Sequence, residues 1–182
     1  MSKVFISFIH EEEEYAERIH VFIREVLGTA VTSFLASDRY QVLAGDLWLE
    51  KIKEELDQAE ILVLMLSKSS VKRPWVNFEA GAAWIANKKI IPVCFGGLQK
   101  GKLPKPYSSY QALDLFEPAD QYYLVSSIAK HLGLLTPPPA WRRGFSVLGS
   151  PQPDDCEKPY KKLDGWLNMF LKNGKTKGKK EG

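Results

Sequence analysis

Short runs of hydrophobic residues alternate along the chain with stretches whose hydrophobic positions recur every three or four residues. Residues 4–8 form a run rich in β-branched and aromatic side chains, which predicts a strand. Residues 11–27 predict a helix, because their hydrophobic side chains recur at helical spacing. Those side chains are Tyr15, Ile19, Phe22, Ile23 and Val26. The chain therefore begins with a strand followed by a helix.

The same alternation continues to residue 132. Strands are predicted at residues 31–35, 61–66 and 90–95, with a short fifth strand at 112–115. A loop at 36–45 leads to a helix with Trp48, Ile52, Leu56 and Ala59 on one face, and further helices follow at 74–86 and 121–132. Continuously apolar central strands are typical of a parallel sheet that is covered on both faces. The predicted fold class is therefore α/β, a doubly wound, five-stranded parallel sheet.

The last quarter of the chain has a different composition. Prolines at 137–139, 151 and 153 predict a stiff connection, and residues 159–172 predict a helix that could pack on the domain or on a partner. Lysines and glycines in residues 173–182 are typical of a disordered tail. We therefore expect a domain at residues 1–135, a proline-rich connection with a C-terminal helix at 136–172, and a disordered basic tail at 173–182.

Charge and cysteine content narrow the class of partner and compartment. The formal net charge is +3, but residues 172–182 hold five lysines against Glu181, which leaves about −1 for the remainder. This balance argues against a nucleic-acid partner. The longest apolar run, residues 61–66, is too short to cross a bilayer, and the N-terminus shows no signal sequence. Two dissimilarly placed cysteines fit a reducing compartment, so we expect a cytoplasmic protein without a membrane partner.

One carboxylate interrupts the hydrophobic stripe of the third helix. Glu79 falls between Trp75, Ala83 and Ala86 on the helical wheel, beyond the first turn, where neither capping nor the helix dipole explains it. An ion pair with Lys72 or Arg73 is one explanation. The other is chemical: a glutamate at the carboxyl edge of an α/β sheet can stabilise an oxocarbenium-like sugar and hold its hydroxyls. Cleavage of an N-glycosidic bond to a cationic leaving group needs no general acid, because that group departs neutral.

Five short motifs occur in a fixed order along the chain. They are VFISF at residues 4–8, LAG at 43–45 followed by Trp48, LMLS at 64–67, WVNFE at 75–79 and KIIPV at 89–93. Over about residues 3–134 these motifs resemble the Toll/interleukin-1 receptor (TIR) domain, particularly its bacterial NAD-consuming members. The resemblance implies a flavodoxin-like sheet with helices on both faces.

The resemblance also implies roles for individual residues. Glu79 is similar to the catalytic glutamate of the TIR NADases, in a motif whose tryptophan is Trp75. The other residues that the resemblance places at the substrate are Phe8 and His10 near the nicotinamide, Asp38, Arg39 and Trp48 near the ribose and phosphates, and Ser67 after the third strand. Core packing is the alternative for Phe8 and Trp48, and a solvated loop position is the alternative for Arg39. His10 departs from the basic or small polar residues common at its position.

The function implied by the resemblance is cleavage of NAD+ to nicotinamide and either ADP-ribose or a cyclic ADP-ribose isomer, in bacterial antiviral defence signalling. NAD+ is the substrate, and neither a cofactor nor a metal is expected. Residues 37–46 correspond to the segment through which TIR domains self-associate or bind one another, and a separate activator or downstream effector is expected. The alternatives are a non-enzymatic TIR adaptor, against which the joint presence of Trp75 and Glu79 argues, and a nucleoside deoxyribosyltransferase-like enzyme.

Overall fold

The structure is a computed structural model that describes residues 2–37 and 48–138, without the side chains of Trp48 and Leu49. The expected C-terminal helix and basic tail lie outside these residues. So does the expected association segment beyond Ser37.

Five parallel strands form one sheet. They are β1 (Ser2–Phe8), β2 (Val31–Ser37), β3 (Ile61–Leu66), β4 (Lys89–Cys94) and β5 (Leu113–Asp114), in the order β2-β1-β3-β4-β5. Both the five strands and their parallel arrangement were expected from the apolar runs, and the structure confirms them. The strand order reverses between β1 and β3, and in open α/β sheets ligands bind at the carboxyl edge beside such a reversal.

In the described part of the chain, four α-helices cover the two faces of the sheet. They are α1 (Glu13–Leu27), α2 (Trp48–Gln58), α3 (Pro74–Ile85) and α4 (Pro118–His131). One hydrophobic core joins α1 and α4 to the sheet, and a second core joins α2 and α3 to the opposite face. The doubly wound α/β fold is thus confirmed. Within the described ranges, no helix is long and apolar enough to cross a membrane.

The element boundaries differ from the predictions by a few residues. The final helix begins at Pro118 rather than at residue 121, because a proline in the first turn loses no helical hydrogen bond. A short 3-10 turn, His10–Glu12, precedes α1. Between β4 and β5 the described chain contains 3-10 turns at Lys100–Lys102 and Tyr107–Ser109.

Candidate functional site

The candidate site begins with a polar residue inside β1. Because side chains alternate along a strand, Phe5 and Ile9 pack towards α2 and α3, whereas Val4, Ile6 and Phe8 pack towards α1 and α4. Ser7 lies between Phe5 and Ile9 on the α2/α3 face and is fully buried. A hydroxyl is thereby placed in an otherwise hydrophobic layer.

Glu79 on α3 meets this hydroxyl. Its neighbours Val76, Ala80 and Ala83 pack into the core, and the Glu79 side chain is fully buried with them. The Ser7 Oγ donates a hydrogen bond of 2.5 Å to Glu79 Oε2, and the Trp75 Nε1 donates one of 2.9 Å to Glu79 Oε1. The prediction that a carboxylate occupies the buried stripe of this helix is confirmed. Each of its oxygens has a different donor.

Both of these donors are neutral groups, so the two hydrogen bonds place no positive charge beside Glu79. Of the cations that the sequence offered as partners, Arg73 donates to Glu11 Oε1 at 3.0 Å, and the Lys72 side chain is exposed. Hydrogen bonds from neutral dipoles stabilise an ionised carboxylate against burial while leaving its charge intact. An ionised carboxylate held in this way can stabilise positive charge that develops on a molecule bound nearby.

Trp75 is the more accessible of the two donors. It stands in the first turn of α3, directly after Pro74, and its side chain is only partly buried. Its ring contacts that of Phe78, with 5.3 Å between the ring centroids. The Trp75 side of the carboxylate therefore lies nearer to solvent than the Ser7 side.

Ser67 lies at the carboxyl edge of β3, as expected, but its hydroxyl is already engaged. It donates to the buried Glu12, which lies in the turn after β1. It also accepts hydrogen bonds from the backbone N–H groups of Ser69 at 3.0 Å and Ser70 at 3.1 Å. Ser67 therefore ties the loop after β3 to the turn after β1.

The structure separates Phe8 from Glu79. Phe8 is buried in the core on the α1/α4 face, which agrees with the packing alternative. His10 follows β1 on the surface, and its Nδ1 lies 3.6 Å from Glu13 Oε2. Of the remaining expected site residues, Asp38, Arg39 and the side chain of Trp48 lie outside the described residues.

Sequence reasoning did not single out Ser7 or Glu12. The sequence does contain a signal for Ser7, because Ser7 is the polar residue in the otherwise hydrophobic run from Phe5 to Ile9. Glu12 lies in an unbroken run of four glutamates, and that run carries no sign of which member is buried.

The outer side of α3 has its own contacts. The Tyr107 hydroxyl donates to Asn77 Oδ1, and Asn77 Nδ2 donates to the Arg73 carbonyl at 3.0 Å. Burial raises the pKa of Tyr107, so this hydroxyl keeps its proton at neutral pH. A groove of about 640 Å³ lies beside these residues, with Gly81 and Trp84 in its lining, and Glu79 is not part of it.

A family model described as "TIR domain" matches residues 4–125, more than half of the chain. The search of curated proteins gives no match. Among solved structures, a metazoan TIR-STING receptor from C. gigas is similar at 17% sequence identity and a TM-score of 0.48. The match covers 93% of this chain and 46% of the receptor chain, so this chain spans less than half of that structure.

Proposed function

The chain belongs to the TIR domain family, and from this premise we propose that it is an NAD+ nucleosidase in which Glu79 is the catalytic residue. One observation carries the proposal: an ionisable carboxylate is buried beside β1, and Ser7 and Trp75 each donate a hydrogen bond to a different one of its oxygens. Packing alone would favour a hydrophobic residue at this position of α3. A chemical role accounts for the carboxylate and for the two donors that hold it.

The proposed reaction breaks the bond between the nicotinamide nitrogen and C1′ of the ribose. The bonding electrons go to the ring, so nicotinamide leaves as a neutral molecule and C1′ becomes an oxocarbenium-like cation. Water then adds to C1′ and loses a proton, which gives ADP-ribose. If a nitrogen or hydroxyl of the same molecule adds instead, a cyclic isomer forms.

The environment of Glu79 suits this cation. A charge in a site shielded from water acts more strongly on a developing charge than it would in bulk solvent. Because Glu79 is fully buried and Trp75 only partly so, the substrate approaches from the Trp75 side. Trp75 then has two roles: it holds Glu79 Oε1 before binding, and its ring covers the nicotinamide or ribose after the side chain moves.

The test is turnover of NAD+ by purified protein and by the Glu79→Gln variant. We expect nicotinamide release by the parent chain and a loss of at least about 100-fold in the variant, because the amide cannot supply the negative charge. Glu54→Gln is the matched control, since it removes a carboxylate from an exposed position on α2. Separation of the second product by mass and retention time distinguishes hydrolysis from cyclisation.

Absence of turnover at high protein concentration and with crowding agents would contradict the proposal and favour a non-enzymatic adaptor. Equal turnover by the parent chain and Glu79→Gln would refute the role of Glu79 while retaining the activity. Thermal unfolding of each variant shows whether a loss of activity reflects a loss of fold.

The cellular role that we attach to this activity is bacterial antiviral defence in the cytoplasm, with a separate activator or a downstream effector. Its support is the resemblance of residues 3–134 to bacterial NAD-consuming TIR domains. Phage challenge of bacteria that express the parent chain or Glu79→Gln tests it. We expect protection and NAD+ loss in bacteria that express the parent chain, and neither in bacteria that express Glu79→Gln. Equal protection by both chains would contradict this cellular role.

A further inference from the structure

The two oxygens of the Glu79 carboxylate lie in different surroundings. Oε2 faces Ser7, which is fully buried in β1, whereas Oε1 faces the partly exposed Trp75. A ligand that approaches through the Trp75 side reaches Oε1 first. Oε2 is held inside the core by Ser7 of strand β1, whereas Oε1 is held by Trp75 of α3, the helix that also carries Glu79.

Ser7 destabilises the fold at its buried position unless its hydroxyl forms a hydrogen bond. The α2/α3 face of the sheet around it is built from large hydrophobic side chains, among them Phe5, Leu62 and Leu64. A buried hydroxyl without a hydrogen-bond partner destabilises a protein. Its 2.5 Å bond to a carboxylate removes this cost and also fixes the carboxylate plane.

We infer that Ser7 is a positioning residue for the reaction proposed above, on which this inference rests. Ser7 anchors Oε2 and stops rotation of the carboxylate about its last side-chain bond, so that Oε1 faces C1′ and the ribose hydroxyls. On substrate binding, the Trp75 N–H bond to Oε1 is exchanged for a ribose hydroxyl, while the Ser7 bond stays in place. Ser7 does not touch the substrate.

The experiment compares steady-state turnover of NAD+ by the full chain and by Ser7→Ala, Ser7→Thr and Ser33→Ala. Ser33→Ala is the matched control, because it removes a hydroxyl from the neighbouring strand β2, where Ser33 Oγ lies 2.7 Å from His20 Nδ1. We expect kcat of Ser7→Ala to fall on the order of 10-fold, the loss of one hydrogen bond to a charged group, with KM within about twofold. Ser7→Thr, which keeps the hydroxyl, recovers most of kcat, and Ser33→Ala resembles the parent.

A second measurement tests the contact without relying on activity. Urea unfolding midpoints are measured for the parent, Ser7→Ala, Glu79→Gln and the double variant. If Ser7 acts through the Glu79 carboxylate, Ser7→Ala lowers the midpoint less in the Glu79→Gln background than in the parent. Additive shifts would show that the two side chains are not coupled and would overturn the inference.

The outcomes separate this inference from the proposed function. Turnover by the parent chain with an unchanged kcat in Ser7→Ala overturns the role of Ser7 and leaves the proposed function intact. A parent chain without turnover under all conditions refutes the proposed function and the inference with it. If Ser7→Ala does not fold, Ser7→Cys replaces it: the thiol is a weaker donor, so a lower kcat supports the inference and an unchanged kcat overturns it.

Discussion

At the scale of single residues, the free-energy cost of burying a charge determines which contacts Glu79 needs. A carboxylate removed from water is stable only if its oxygens are hydrogen-bonded, and Ser7 and Trp75 each supply one donor. The same two donors limit the orientations that the carboxylate can adopt. The contacts that make its burial tolerable are therefore also the contacts that orient it for chemistry.

The contributions of the Trp75 ring and of its N–H group can be tested with two different variants. Trp75→Phe keeps an aromatic ring but removes the donor that holds Glu79 Oε1 in the free protein, so we expect kcat/KM for NAD+ to fall on the order of 10-fold, with kcat within about twofold. Trp75→Ala, which also removes the covering ring, is expected to lose more. Trp84→Phe is the control, because Trp84 lies on the same helix and is 68% exposed. A Trp75→Phe variant with parental kcat/KM would contradict the role given to the N–H group.

Cys94 at the end of β4 is expected to be chemically inert. Burial, together with the negative charge of Asp114, raises the pKa of Cys94 to about 11, so almost no reactive thiolate exists at neutral pH. In a Cys156→Ser variant, we expect a thiol-reactive dye at pH 8 to label the native protein only slowly and to label one thiol rapidly in denaturant. Rapid labelling of the native chain would show that Cys94 is accessible.

At the scale of elements, a cluster of ion pairs links α2 to the start of β1. Glu55 on α2 is buried and pairs with Lys3 of β1, and Lys51 Nζ lies 2.7 Å from Glu55 Oε1. Burial alone would raise the pKa of Glu55, but the hydrogen bonds and charges of Lys3 and Lys51 outweigh it and hold the pKa below its ordinary value. A carboxyl group whose pKa is lower in the folded state stabilises the fold once it is ionised.

This linkage predicts how stability depends on pH. The contribution of Glu55 is fully present above the unfolded pKa near 4.5 and is lost as pH falls through the lower folded pKa. Urea midpoints at pH 7 and pH 3 should therefore show that Glu55→Gln is destabilising at pH 7 and less so at pH 3. Glu54→Gln, from an exposed site on the same helix, should have little effect at either pH. An equal effect of Glu55→Gln at both pH values would rule out the ion cluster as its cause.

Periodicity was enough to predict the elements but not all of their contacts. The uninterrupted apolar run of β3 and the stripe of α3 identified both elements and the anomaly at Glu79, because burial on a known face demands hydrophobic residues. The start of α4 was misplaced, since a first-turn proline and polar residues do not alter the hydrophobic period. The partnership of Ser7 with Glu79 spans 72 positions, and a local pattern carries no information on such a pair.

At the scale of the whole molecule, the burial of Glu79 raises a question of access. The carboxylate is fully buried in the single chain, so the proposed turnover would require the Trp75 side to open. A partner that binds the open form better than the closed form shifts the population towards it. TIR domains commonly self-associate, and a second copy of the chain can supply this binding energy.

Mixing of active and inactive chains tests this coupling. At a low concentration of the parent chain, addition of excess Glu79→Gln chain is expected to raise the turnover per active site several-fold. The inactive copies still associate but contribute no chemistry of their own. An unrelated protein at the same concentration controls for crowding. Turnover that is unaffected by the inactive chain, and specific activity that does not change on dilution, would show that each copy works alone.

The hydrogen bond between Ser7 and Glu79 also has a consequence for biosynthesis. Its two partners leave the ribosome 72 residues apart, and β3, which pairs with β1, leaves between them. When β1 and β2 have left the ribosome, Glu79 has not yet done so, and when α3 has just left, β4 and β5 are still to follow. The carboxylate acquires its orientation only when distant segments have met. On the proposed function, an incomplete chain would therefore not cleave NAD+.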